Sequence, residues 1–159
     1  MIQRVQSLFL LGVAVCLITM LFFPIWEKVD LEAQTSTTLK AYVAEVVTSG
    51  EQSEVFYFPA AIVGFLAIVG AVIALFELFQ YRSRLNQIKL GALNSLVMAG
   101  IMGVCVYLTF RFEQNIAGNG QGEYQMGMYL PAVALILNLL ANRFIRRDES
   151  LVRSVDRLR

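Results

Sequence analysis

Four long apolar runs alternate with short polar connections along the chain. Residues 8–24 are apolar apart from Thr19, and Ile25 and Trp26 extend them. Residues 58–79 are interrupted by Glu77 alone. Residues 90–110 carry Asn94, Ser95 and Thr109 as their clearly polar members. Residues 124–145 hold an apolar centre, 128–141, that is broken only by Asn138. About 20 apolar residues, each rising ~1.5 Å, cross a hydrocarbon core of about 30 Å. The pattern predicts an all-α membrane protein, a four-transmembrane-helix antiparallel bundle. Its spans fall at about 7–26, 58–80, 90–110 and 126–145, with an outer loop at 27–57 and a tail at 146–159. Each span closes its own backbone hydrogen bonds, as a lipid setting demands. Buried instead in a water-soluble core, four such runs would leave no amphipathic layer to shield them.

Composition agrees. Charged residues make up 16% of the 159 residues, against roughly 25% in an ordinary soluble domain. Apolar residues reach 57%, and the mean hydropathy is +0.62. The first run is read as a retained helix and not as a cleaved signal. A signal needs small residues after its apolar stretch, and Phe22, Phe23, Pro24, Ile25 and Trp26 are bulky.

The net charge of +1 hides a sorting of signs. Arg4, the 81–89 connection (Arg82, Arg84, Lys89) and the end of the chain hold ten of the thirteen basic residues. The other two connections hold Lys28, Lys40 and Arg111 beside eight acids. Basic residues collect in cytoplasmic segments. Both termini are therefore expected in the cytoplasm of a multi-pass protein. Phe22, Phe23, Trp26, Phe56, Tyr57, Phe58, Tyr81, Tyr124 and Tyr129 fall at span ends, where amphipathic rings favour the headgroup level.

The outer loop leaves two readings open. Leu39, Tyr42, Val43, Val46 and Val47 suit one face of a short helix. The same residues suit a β-hairpin, with Ser49-Gly50 as a turn and Val55-Phe56-Tyr57 as the returning strand. In either form the loop is expected to make a small periplasmic cap. The glycine-rich residues 118–122 are read as a flexible turn, because a phosphate-binding loop needs a preceding strand. Small pairs four apart, Ala60/Gly64, Ala67/Ala71, Gly70/Ala74 and Ala99/Gly103, are read as helix-packing surfaces within the bundle.

Candidate chemistry is sparse. There is no His, and the two cysteines, Cys16 and Cys105, lie inside spans. That removes most routes to a zinc site, a catalytic triad or a disulfide framework. The reading is of a non-enzymatic protein with no catalytic residue, cofactor or metal. Glu77, Asn94, Asn138 and Asn142 would form one intramembrane polar cluster in the cytoplasmic half. Its favoured role is interhelical hydrogen bonding. A proton or ion path would need polar groups in the outer halves of the spans as well. The tail carries six arginines, three acids and no lysine from residue 143 onward. Leu151, Val155 and Leu158 give it one apolar stripe. Arg146, Arg147, Asp148, Glu149, Arg153, Asp156 and Arg157 are the candidate contacts for lipid or for a protein partner. Arginine suits paired contacts with carboxylates. Nucleic acid is not expected, since aromatic stacking groups are absent beyond Phe144.

Three stretches carry a family resemblance. They are Met1-Ile2-Gln3-Arg4-Val5-Gln6, then Phe79-Gln80-Tyr81-Arg82-Ser83-Arg84-Leu85-Asn86-Gln87-Ile88-Lys89-Leu90, then Arg147-Asp148-Glu149-Ser150-Leu151-Val152-Arg153-Ser154-Val155-Asp156-Arg157-Leu158-Arg159. The chain resembles a family of uncharacterised four-span inner-membrane proteins from Bacteroidota, known as a domain of unknown function. The resemblance implies a bacterial inner-membrane protein and supplies no activity or ligand. The expected function is an accessory or scaffold subunit of a membrane protein assembly. It would sit in the lipid bilayer and dock a membrane-protein partner through the tail. The alternative is a small transporter or channel with its polar cluster around Glu77.

Overall fold

The structure is a computed structural model that describes residues 2–30, 35–48, 54–80, 83–115 and 122–156. It places side chains over 5–30, 35–47, 54–80, 83–114 and 122–151. Four helices form the body: α1 (Ile2–Met20), α2 (Ala61–Phe79), α3 (Arg84–Asn115) and α4 (Met126–Asp156). Each packs on two others, α1 on α4 and α2, and α3 on α2 and α4.

A seam along each helix explains this packing. On α1, Gln6, Leu10, Val13, Leu17 and Met20 are buried; on α2, Val63, Ala67, Gly70, Ala74 and Glu77. On α3 the seam runs through buried Gln87, Gly91, Asn94, Met98, Ile101, Cys105 and Leu108. On α4 it is Gly127, Pro131, Ala134, Asn138, Ala141 and Ile145. These positions recur in steps of three and four, the ~3.5-residue period that keeps a seam facing its neighbours at a shallow crossing angle. The outward faces stay apolar, with Leu8, Phe65, Ile68, Val72, Leu96 and Ile136 exposed.

The expected all-α class is corrected by a five-stranded antiparallel sheet at one end of the helices. Its strands are β1 (Trp26–Asp30), β2 (Thr35–Leu39), β3 (Ala44–Thr48), β4 (Glu54–Phe56) and β5 (Glu123–Tyr124), in the order β4-β3-β2-β1-β5. The loop after α1 therefore makes four strands, neither a short helix nor a single hairpin. The connection between α3 and α4 adds the fifth. The number of spans is corrected with it. Among the described residues, three helices are long and apolar enough to cross a membrane: Ala61–Phe79, Arg84–Gln114 and Met126–Leu151. The apolar part of α1, Val5–Met20, is shorter. The first apolar run ends early because the chain turns after Met20, with Leu21 and Phe22 bonding back to Ile18 and Thr19. Trp26 then opens a strand.

The sheet is built around Trp26 and is fixed to the helices at two points. Trp26 is buried beneath β5, pairing in register with Leu39 on one side and Tyr124 on the other. A Cβ on Gly122 would run into the Trp26 ring, so only glycine lets the chain pass there. The β2–β3 turn, closed by Lys40 N–H donating to Val43 at 2.8 Å, aims the Ala41 carbonyl at the start of α2. There it accepts the Gly64 N–H at 2.6 Å, close to the helix start, where N–H groups lack partners from their own helix. At the second of them, Lys28, buried on β1, meets Glu113 on the last turns of α3 at 3.4 Å.

Candidate functional site

The buried seam turns polar toward the end of the helices opposite the sheet. Glu77 sits in the last turn of α2 with no solvent exposure. Its backbone carbonyl accepts the Gln87 side-chain amide at 3.0 Å, tying α2 to the first turn of α3. Neither of its carboxyl oxygens has a partner among the described residues. Two turns further along α3, Asn94 is buried with neither amide atom bonded among the described residues. It lies against Gly70, where an added Cβ would stand 3.3 Å from Asn94 Oδ1 and 2.9 Å from Leu17.

Asn138 and Asn142 meet α3 from the other side, both at Gly91. Asn138 Nδ2 donates to the Gly91 carbonyl at 2.7 Å and to Ser95 Oγ at 2.9 Å. Ser95 Oγ donates to that same carbonyl at 2.9 Å. Asn142 lies flat over Gly91, with its side chain where a Cβ would stand. The expected single cluster is thus divided. Asn138 and Asn142 share one contact point, Asn94 faces α2, and no hydrogen bond joins Glu77 to any of them among the described residues. The period of 3.5 explains the division, since Gln87, Gly91 and Asn94 step across the seam toward different neighbours.

The tail emerges from α4 without a break, and the helix is 31 residues long. Asp148 is held by Arg84, with Nη2 at 3.0 Å from its carboxylate and Nη1 at 3.1 Å from its carbonyl. Of the expected contact residues, Asp148 is therefore occupied within the chain. Arg146 and Arg147 are exposed, and Glu149 is half-buried with a partner of its own. Arg153 and Asp156 fall within α4 with side chains outside the described set, and Arg157 lies outside the described residues. Gln6, Ser7, Leu10, Arg84, Gln87, Ile145 and Asp148 enclose a cavity of about 20 Å³, room for one water. Phe9 stacks on Phe144 at 5.6 Å beside it and joins α1 to α4.

Sequence reasoning missed Arg84 as the partner of the tail, Gly91 as the meeting point of two asparagines, and Arg143. The spacing of Gln87, Gly91, Asn94 and Met98 is the signal that could have found the second. The small pair Ala99/Gly103 was expected to pack within the bundle. It is exposed instead, and a Cβ on Gly100 or Gly103 would meet nothing within 4 Å. A groove of about 410 Å³ opens between α3 and α4, lined by Ala92, Ser95, Leu139, Asn142, Arg143 and Arg146. Among the described residues, no group of His, Cys, Asp and Glu is placed to hold a metal.

Three helices long and apolar enough to cross a membrane, beside a small antiparallel sheet, define the class as an α+β protein with membrane-capable helices. The chain belongs to the DUF4293 family, a domain of unknown function, which matches it over residues 2–158. This agrees with the resemblance to an uncharacterised family. No curated protein matches the chain.

Proposed function

We propose that this protein is a non-enzymatic accessory subunit of an assembly in a bacterial inner membrane, and that the projecting end of α4 docks its membrane-protein partner. The helical body would lie in the bilayer with the sheet in the periplasm and the end of α4 in the cytoplasm. The sorting of basic residues supports that orientation. So does the meeting of Gln6, Ser7, Arg84 and Asp148 at one end of the body.

The observation that carries the docking reading is the continuity of α4. Past the Arg84–Asp148 clasp the helix runs on through residues 149–156, about 12 Å at ~1.5 Å per residue. A preformed helix loses less conformational freedom on binding than a loose segment does. Its mixed charges suit a protein surface better than a plain basic run would. Deleting residues 149–159 should release copurifying membrane proteins from a mild-detergent extract while the helical body stays inserted. The same partners recovered with the deleted form would overturn the docking role.

A second reading rests on Glu77, a buried carboxyl with both oxygens unpartnered among the described residues. Ionisable residues within membrane segments often mark ion or proton routes. On this reading the protein is a small transporter, and flux into liposomes is lost in Glu77→Gln. Liposomes holding the wild-type chain and showing no flux above empty ones would remove it.

A further inference from the structure

The groove between α3 and α4 is lined by apolar residues and by two arginines. Ala92 and Leu139, both exposed, form its apolar part. Arg143 and Arg146 stand at its other end, one turn apart on α4 and both exposed. The distance along the helix from Leu139 to Arg146 is about 10 Å at ~1.5 Å per residue. Neither arginine forms an ion pair with a described acid, and Asp148 is engaged by Arg84. Asn142, 8% exposed, lines the same groove. Its Oδ1 is unpartnered, and its amide bonds no described residue. Ser95 is already committed to Gly91 and Asn138. Two guanidiniums and one free amide thus stand above an apolar slot.

We propose that this groove binds an anionic phospholipid of the cytoplasmic leaflet. Its phosphate would sit between Arg143 and Arg146 within reach of the Asn142 amide, and an acyl chain would lie along Ala92 and Leu139. The proposal rests on the membrane orientation given above. Guanidinium groups match phosphate oxygens in paired hydrogen bonds. Basic pockets between membrane helices on the cytoplasmic side suit such headgroups. A protein segment would need acids to answer both arginines and would leave the slot to be filled by side chains. A phospholipid answers both needs with one molecule.

The test uses the full chain extracted in mild detergent, offered phosphatidylglycerol and phosphatidylcholine, with retained lipid counted by native mass spectrometry. Phosphatidylglycerol should be retained in preference. Arg143→Gln with Arg146→Gln should cut its retention by about tenfold or more. Leu139→Trp, which fills the slot and keeps both charges, should cut it as well, and Arg147→Gln should leave it unchanged. Equal retention of the two lipids would overturn the proposal, as would undiminished retention in the double variant. Full displacement by inorganic phosphate, with Leu139→Trp harmless, would assign the arginines to a free anion and overturn the lipid. A chain recovered in aqueous buffer without detergent would remove the membrane reading and this site with it. A detergent-extracted chain without lipid preference would remove the site alone.

Discussion

Arg84, the first residue of α3, grips Asp148 on α4 twice, at 3.0 Å through the carboxylate and at 3.1 Å through the backbone carbonyl. Beyond the clasp α4 runs on through residues 149–156. The clasp joins a basic residue of the 81–89 connection to an acid of the tail, so the two polar segments at this end act as one structure. Both side chains are partly exposed, so its energy is modest. A double-mutant cycle with Arg84→Ala and Asp148→Ala, read from unfolding in detergent, should return a coupling of about 1 kcal/mol. Either single variant should raise proteolysis of residues 149–159 without lowering insertion.

Gly64 and Gly100 should respond in opposite ways to alanine. A Cβ on Gly64 would lie 2.9 Å from the Ala41 carbonyl oxygen, a backbone atom that cannot swing away. Gly64→Ala should destabilise the protein by about 1–3 kcal/mol. A Cβ on Gly100 meets nothing, so Gly100→Ala should be neutral or stabilising by up to about 1 kcal/mol. Thermal unfolding of the two variants in one detergent checks both.

The helices were legible in the sequence because their outward faces must be apolar, which leaves runs too long for a soluble core. The sheet was not. Lys28 and Asp30 are buried on the same face of β1 as Trp26, so a period-2 reading met charges where it sought apolar residues. The residues of β2 are Thr-Ser-Thr-Thr-Leu, short of the bulky side chains that announce a strand. Only two residues make β5, and they become a strand only by pairing with Trp26 and Glu27, nearly a hundred residues away. Trp26 itself fitted an interfacial aromatic so well that its place in β1 was hidden. Within the candidate site the residue types stood out, but their neighbours did not. Which asparagine meets Gly91 depends on the packing of three helices, which no single run records.

Glu77 separates the two functional readings. A buried carboxyl with no hydrogen bond is a cost to the fold, and an apolar side chain of similar size relieves it. On the accessory-subunit reading, Glu77→Met should be neutral or stabilise the protein by about 1 kcal/mol or more. Partner recovery should stay unchanged. A loss of function in Glu77→Met despite normal stability would favour the transporter reading.

Gly122 should be intolerant of any side chain, because a Cβ there would enter the Trp26 ring. Gly122→Ala should cost about 1–3 kcal/mol and shift Trp26 fluorescence, since that ring is the only tryptophan. An unchanged emission maximum would contradict the buried position of Trp26 beneath β5.

The orientation of the chain in the bilayer is tested most directly by thiol labelling of intact spheroplasts, in a form where Cys16 and Cys105 are replaced by alanine. Val29→Cys on the exposed face of β1 should react with a membrane-impermeant maleimide. Arg147→Cys on α4 should react only after lysis. Labelling of Arg147→Cys in intact spheroplasts, or of neither position until lysis, would contradict the account.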